Sequence, residues 1–167
     1  MKIESMRISV IINNYNYESY IKECLDSVFS QSRLPDEVIV VDDGSTDNSM
    51  RVIADYSHRL TCISQDNQGQ LSAMARGTKA AIGDVICYLD SDDTWNAEHL
   101  KYIEDAFLSS ANPDYVFTAM NKFGVKEGKL FPAGLPNDTS IPPTPQLMLV
   151  KSTWIGAPTS ANAIKAR

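Results

Sequence analysis

The sequence predicts an α/β fold in which helices cover a mostly parallel sheet. Short runs of β-branched residues alternate with longer segments of helical periodicity over the first 118 residues, and polar residues follow the predicted strands. Such alternation is typical of strands joined by helical crossovers. With 167 residues, 43% of them hydrophobic and 22% charged, the chain fits a single globular domain.

The first predicted unit is a strand, a helix and a second strand. Residues 7–12 form the first strand, and the following helix ends near Ser32. Pro35 separates this helix from the second strand, residues 37–41, because proline lacks an amide hydrogen and disfavours helix in the residue before it. Apolar and aromatic side chains recur on one helix face at i, i+3 and i+4 spacing: Tyr17, Tyr20, Ile21, Cys24, Leu25, Val28 and Phe29.

Two more helices are predicted on either side of the third strand, residues 60–64. The Ser45-Thr46-Asp47 segment offers side-chain oxygens that can cap the first of these helices. Asn67-Gln68-Gly69 forms a turn before the second, which Gly83 ends. Helical spacing predicts an inner face of Met50, Ile53 and Ala54 for the first, and of Leu71, Met74, Ala75, Thr78 and Ile82 for the second.

The fourth strand, residues 84–89, is followed by a helix that Asn96 can cap, and residues 115–118 predict a fifth strand. The inner face of this helix is expected to be Leu100, Ile103 and Phe107. Residues 124–145 hold five of the eight prolines and three glycines, which predicts loops with at most one hairpin. Residues 147–154 predict a short helix.

Composition and charge argue against several classes of protein. The chain has 15 Lys and Arg against 21 Asp and Glu, a net charge of −6, and no basic run that could follow a nucleic acid backbone. Its apolar runs are far shorter than the roughly 20 residues of a membrane span, and no secretory signal is recognisable. We therefore expect a cytoplasmic chain, with peripheral association with a membrane as the alternative. Cys24, Cys62 and Cys87 lie far apart in apolar segments, so we expect reduced core thiols.

Five carboxylates follow the predicted strands at one edge of the sheet, where parallel α/β sheets bind ligands. Asp90, Asp92 and Asp93 would raise one another's pKa unless a positive charge lay among them. Mg²⁺ or Mn²⁺ would supply that charge, with water and phosphate as the remaining ligands. The alternative is that such residues cap helices and form turns. The segments concerned are Asn13-Asn14-Tyr15-Asn16, Asp42-Asp43-Gly44-Ser45 and Asp90-Ser91-Asp92-Asp93.

Four segments resemble the family 2 glycosyltransferases in order and spacing: residues 8–16, 40–47, 67–70 and 83–93. The resemblance covers residues 6–110 and implies a GT-A fold, a three-layer, Rossmann-like sandwich. It also implies an inverting transfer of a sugar from a nucleotide diphosphate, a UDP-sugar above all, to an acceptor hydroxyl. The implied partners are a nucleotide-sugar donor and a saccharide or lipid-linked acceptor, as in polysaccharide biosynthesis.

The resemblance carries roles to individual residues. Asn13 and Tyr15 match the loop that borders the nucleotide base, and Asp43 matches the acid that hydrogen-bonds the base. Asp92 and Asp93 match the positions that touch the ribose and hold the metal, and Asp90, the first acid of the DxD motif, orients the site. The implied nucleotide-binding residues are Asn13, Tyr15, Asp43 and Asp92, and the implied ligands of Mg²⁺ or Mn²⁺ are Asp90, Asp92 and Asp93.

The chain also departs from the family pattern. Met74 and Ala75 stand where many relatives carry an Arg-Asn pair, and no segment matches the family's catalytic base. Because the family's domain is longer, we expect a single catalytic domain truncated at its C-terminus. Residues 1–110 would form its nucleotide-binding part, and residues 111–167 the start of its acceptor-side part.

Two other functions compete with this interpretation. The run from Val85 to Thr94 also resembles the nucleophile loop of haloacid-dehalogenase-like phosphatases, but that family carries the loop on its first strand and needs a later lysine and acid pair. A non-catalytic module that binds a sugar nucleotide is the second alternative.

Overall fold

A seven-stranded sheet organises the part of the chain that the structure describes. The structure is a computed structural model and describes residues 6–109, 113–118, 120–122, 128–130, 147–150 and 162–166. The strands are β1 (Ile8–Asn14), β2 (Glu37–Asp42), β3 (Thr61–Ser64), β4 (Val85–Asp90), β5 (Tyr115–Thr118), β6 (Met120–Lys122), β7 (Gly128–Leu130), β8 (Leu147–Val150) and β9 (Asn162–Lys165). The helices are α1 (Ile21–Phe29), α2 (Ser49–Ala54), α3 (Gln70–Ala80) and α4 (His99–Leu108).

The sheet has the strand order β3-β2-β1-β4-β9-β5-β8, and β6 pairs with β7 in a separate hairpin. The first four strands are parallel, whereas β9 runs antiparallel between β4 and β5, and β8 pairs antiparallel with β5. Asn13 of β1 lies opposite Val41 of β2 on one side and Asp90 of β4 on the other. The carboxyl ends of these three strands therefore meet at one edge, as the sequence predicts.

Helices cover both faces of the sheet, so the strands β1, β2 and β4 are buried on both sides. On one face, Val10 and Leu89 pack in the same cluster as Leu25 of α1, Ile53 of α2 and Ile103 of α4. On the other face, the apolar side chains of Ile39, Val41, Ile11 and Tyr88 pack with Ala73 and Met74 of α3. Full burial of each large aliphatic side chain is worth about 1.5–3 kcal/mol. The prediction of a three-layer α/β sandwich is confirmed.

The third helix lies unusually close to the sheet. A Cβ atom placed on Gly77 would lie 2.5 Å from Cγ2 of Ile11 and 3.2 Å from Cγ2 of Val41. At the next residue, the hydroxyl of Thr78 hydrogen-bonds that of Tyr88 on β4 at 2.8 Å. Only a residue without a side chain fits at this contact, so Gly77 sets the height of α3 above the sheet.

This close contact explains why only part of the predicted inner face of α3 faces the sheet: Met74 and Thr78 contact it, whereas the other predicted residues do not. Leu71 and Ile82 are 81% and 66% exposed, and the buried residues of the helix are Ala73 and Gly77. Hydrophobic periodicity favours large side chains, whereas this helix packs through its small ones. In α2, likewise, Ile53 is buried but Met50 and Ala54 are exposed.

Three further predictions need correction. Residues 147–150 form strand β8 rather than the start of a helix, because they pair with β5; a short apolar run does not distinguish the two by periodicity. Tyr17 and Tyr20 are 37% and 53% exposed, because α1 begins only at Ile21. Cys62 is exposed on the edge strand β3.

Other predictions fall partly outside the described residues. Of the β6–β7 hairpin only strand β7 lies within the segment 124–145, and the remainder of that segment, like residues 151–154, is not described. Cys24 and Cys87 are buried as expected. None of the described helices is long and apolar enough to cross a membrane.

We expect Gly77→Ala to destabilise the protein although alanine is the better helix former. The gain in helix propensity is about 1 kcal/mol, but the added methyl group overlaps Ile11, and overpacking costs about 1–3 kcal/mol. Urea unfolding should show a loss or at best no gain in the free energy of unfolding. The control Ala75→Gly, on the exposed side of α3, should lose about 1 kcal/mol from propensity alone. A clear rise in stability for Gly77→Ala would contradict the close packing.

Candidate nucleotide-binding site

A pocket of about 530 Å³ opens at the carboxyl edge of β1, β2 and β4. All four nucleotide-binding residues implied by the sequence lie in its wall, together with Asp90, whereas Asp93 is not among the described lining residues. The described residues that line the pocket are Asn13, Asn14, Tyr15, Tyr17, Asp43, Asn67, Gly69, Gln70, Ala73, Asp90, Ser91 and Asp92.

Asp42, directly before Asp43, has a structural role. Its buried carboxylate accepts hydrogen bonds from the Asn14 side-chain amide at 2.8 Å and from the Ser45 amide at 3.0 Å. The Ser45 hydroxyl donates to the same carboxylate at 2.5 Å. These bonds join the ends of β1 and β2 and form the turn after β2. Asp42 therefore forms a turn, which is the alternative that the sequence left open for these acids.

Asp43 binds the backbone of the loop that leads into α3. Its carboxylate accepts hydrogen bonds from the Gln68 amide at 2.9 Å, the Gly69 amide at 2.7 Å and the Gln65 side chain at 2.7 Å. Burial alone would raise the pKa of Asp43, but these hydrogen bonds outweigh it and hold the pKa below its usual value. Asp43 is 3% exposed, so a charged carboxylate is held at the pocket wall.

Asp90, at the end of β4, lies between two side-chain amides. The Gln70 amide donates to its Oδ1 at 2.7 Å, and the Asn13 side chain hydrogen-bonds the same carboxylate from the neighbouring strand. Burial raises the pKa of Asp90, and the charges of Asp93 and Asp92 add to this effect. The site therefore favours a positive charge next to Asp90.

Asp92 is exposed, and its charge acts on the phenol of Tyr17. The charge of Asp92 is the largest cause of the raised pKa of the Tyr17 phenol, which also lines the pocket. The carboxylate is therefore open to solvent at the pocket mouth and has a neutral hydroxyl beside it.

The donor set fits a divalent cation that takes part of its ligands from a bound molecule. No three His, Cys, Asp or Glu side chains among the described residues form a group that could hold a metal alone. Asp90 and Asp92 both line the pocket, and the buried oxygens Asn13 Oδ1 and Ser91 Oγ have no hydrogen-bond partner within the part of the chain that the structure describes. Mg²⁺ commonly binds through one or two carboxylates together with water and substrate phosphates.

Charge supports the same fit. The described lining residues include three carboxylates and no Lys, Arg or His. At the positions of the family's Arg-Asn pair, Met74 packs against the sheet and Ala75 is exposed, so neither brings a charge to the wall. Among the described lining residues, a diphosphate would thus meet negative charges and no positive one unless a cation accompanied it.

Comparison with known proteins places the chain in a family. The sequence model described as "Glycosyl transferase family 2" matches residues 9–164. The chain belongs to the family 2 glycosyltransferases. Its solved relatives have the GT-A fold, which is the fold that the sequence motifs imply.

The relatives of this family 2 chain are longer proteins. It is 43% identical over 109 residues to an uncharacterized glycosyltransferase of Nostoc sp., an alignment covering 63% of this chain and 34% of the relative. It is 33% identical over 156 residues to the poly(ribitol-phosphate) β-N-acetylglucosaminyltransferase TarS of Staphylococcus aureus, covering 90% and 26% respectively. The chain thus spans about a third or less of the length of these two relatives.

Solved structures agree with this assignment. The crystal structure of S. aureus TarS 1–349 superposes with a TM-score of 0.60 at 35% identity, covering 66% of this chain and 34% of TarS 1–349. The mannosyltransferase PcManGT of Pyrobaculum calidifontis, in complex with GDP-Man and Mn²⁺, gives a TM-score of 0.58 at 26% identity and covers 71% and 35%.

Some wall residues of this family 2 chain have no role in the sequence prediction. Tyr17 was expected on the apolar face of the first helix. Gln70 belongs to a segment that matches the family but has no assigned role. Ser91 was placed within the acidic cluster only as the residue between two acids. The pattern Asn67-Gln68-Gly69-Gln70 could have pointed to Gln70, but its contact with a strand 20 residues away depends on how α3 lies on the sheet.

Asp43→Ala should destabilise the fold and change its pH dependence. Three donors lose a charged acceptor, so we expect a loss of about 3 kcal/mol in the free energy of unfolding at neutral pH. The folded pKa is lowered, so this contribution is present above the unfolded pKa of about 4 and is lost as the pH falls through the folded pKa.

Urea unfolding of both proteins between neutral pH and about pH 3 measures this difference, which should narrow as the pH falls. The control is Asp66→Ala, an exposed acid of the same loop, for which we expect a change below about 0.5 kcal/mol. An equal effect of the two substitutions would contradict the role of Asp43 in holding the loop.

Proposed function

We propose that the chain is the donor-binding part of an inverting, divalent-metal-dependent glycosyltransferase that uses a UDP-sugar. The observation that carries the proposal is the single pocket that joins Asp43 on one side to Asp90 and Asp92 on the other. Family membership supports it, because the pocket lies at the strand ends that match the family motifs.

The nucleoside would bind on the Asp43 side of the pocket. Oδ2 of Asp43 accepts one hydrogen bond, from Gly69, and keeps a lone pair for a donor such as the imide N–H of uracil. The ring of Tyr15, 44% exposed in the same wall, offers a flat face to a base. TarS 1–349 has been crystallised with UDP and with UDP-GlcNAc, which favours UDP as the nucleotide that this chain binds.

The diphosphate would bind on the side of Asp90 and Asp92. These two carboxylates are the side chains that would hold Mg²⁺ or Mn²⁺, with Asp93 as the third acid that the motif implies. When bound, the cation would act as a Lewis acid that neutralises charge on the departing diphosphate. The complex of PcManGT with GDP-Man and Mn²⁺ supports a divalent metal.

The acceptor side follows in the later part of the chain. We assign residues 1–110 to the nucleotide and the metal, and residues 111–167 to the start of the acceptor side. An acceptor hydroxyl must lose its proton to a base during transfer, and no acid of the pocket wall is assigned to this role. The acceptor is proposed to be a saccharide or a lipid-linked acceptor. TarS and the chondroitin synthase of Escherichia coli, 33% identical over 130 residues, support polysaccharide synthesis.

Asp92→Asn should abolish the Mn²⁺-dependent binding of UDP and leave the melting temperature almost unchanged. The side chain is exposed, so the fold does not depend on it, whereas the cation loses a charged ligand. Isothermal calorimetry of UDP with Mn²⁺ and with EDTA measures the effect. Removal of the metal by EDTA should weaken UDP binding by the unaltered chain in the same way.

The matched control is Asp55→Asn, an exposed acid at the end of α2. It should bind UDP like the unaltered chain. Binding of UDP that is equally strong in Asp92→Asn, or in EDTA, would contradict the proposal. Release of UDP from UDP-sugars by the chain would in addition argue against a non-catalytic module.

A further inference from the structure

The contact between Gln70 and Asp90 joins two parts of the pocket that are distant in sequence. Gln70 is the first residue of α3, and Asp90 is the last residue of β4. The Gln70 side-chain amide donates to Oδ1 of Asp90 at 2.7 Å, a typical length for a hydrogen bond to a carboxylate. Gln70 itself is exposed, so the overall fold does not require it.

The position of Gln70 is fixed from the Asp43 side. Asp43 accepts hydrogen bonds from the amides of Gln68 and Gly69, the two residues before Gln70. Gly69 has a φ of 87°, a left-handed conformation that favours glycine, and it directs the chain into α3. The contact of Gly77 with Ile11 then holds the helix on the sheet. The side chain of Gln70 is thereby presented to Asp90.

We propose that Gln70 is a positioning residue that orients the carboxylate of Asp90 for the cation and diphosphate of the donor. The inference rests on the proposed function, since it concerns how the same pocket binds its ligand. Asn13 reaches the carboxylate from β1 and Gln70 reaches it from α3, so two amides on different elements fix the plane of the group. Asp43 is also connected to this carboxylate, because it binds the backbone of residues 68–69, and the next residue, Gln70, contacts Asp90.

A fixed carboxylate binds better than a mobile one. Asp90 stands next to Asp92 and Asp93, whose negative charges act on it. Loss of one amide donor would leave the group free to turn away from these charges and from the ligand. Substitution of residues that orient a metal ligand commonly lowers metal affinity about 10- to 100-fold.

The test is Gln70→Met, which keeps an unbranched side chain of similar length and removes the donor. Calorimetry should show about tenfold or greater weakening of UDP binding in the presence of Mn²⁺. Binding of uridine, which lacks the diphosphate, should be unchanged. A general collapse of the loop would weaken uridine as well, so this pair of ligands separates positioning from a structural effect. The control Leu71→Met lies at the adjacent position, 81% exposed, and should bind both ligands like the unaltered chain.

Coupling to Asp90 gives the second measurement. In an Asp90→Asn background, Gln70→Met should change the affinity for UDP with Mn²⁺ by less than about twofold, because the group that it orients is already altered. Unchanged UDP affinity in Gln70→Met, a parallel loss of uridine binding, or the full loss in the Asp90→Asn background would overturn the positioning role alone. Failure of the unaltered chain to bind UDP would instead overturn the proposed function and this inference with it.

Discussion

The hydrogen bonds between the Asp43 carboxylate and the loop before α3 are the interaction on which the rest of the site depends. They join the end of β2 to the segment that leaves β3, and they set the peptide from which α3 starts. A buried carboxylate that accepts several N–H donors stays charged and keeps its partners in place. Without this contact, the loop wall of the pocket would have no fixed position relative to the strand ends.

The sheet supplies the second constraint. Asn13 in the interior strand β1 lies directly opposite Asp90, so the acidic turn after β4 and the loop after β1 share one edge. The described residues that line this pocket include three carboxylates and no Lys, Arg or His side chain. Its electrostatics therefore suit a ligand that brings a cation with it, which is how a metal-bound nucleotide diphosphate would enter.

Much of the framework could be predicted from the sequence, for identifiable physical reasons. The strands that became β1, β2 and β4 are apolar on both faces, because helices cover both sides, and such runs are conspicuous. The inner face of α3 was predicted only in part: Met74 and Thr78 contact the sheet as expected, but the buried residues are Ala73 and Gly77 rather than Leu71. Strand β8 was missed because its pairing with β5 spans about thirty residues and leaves no local pattern.

The same division applies to the site. Asn13, Tyr15, Asp43, Asp90 and Asp92 could be placed at one edge because they follow strands or belong to motifs. The pairing of Gln70 with Asp90 could not, since it depends on the height and direction of α3. A contact between side chains of a helix and a strand depends on tertiary packing, and the spacing of residues in the sequence does not predict it.

A crystal structure of the chain with UDP and Mn²⁺, with the anomalous scattering of manganese recorded, tests the central claim most directly. We expect one manganese peak beside Asp90 and Asp92 that also contacts the diphosphate, with the uracil on the Asp43 side. A nucleotide bound away from this edge, or a manganese ion bound without contact with either carboxylate, would contradict it.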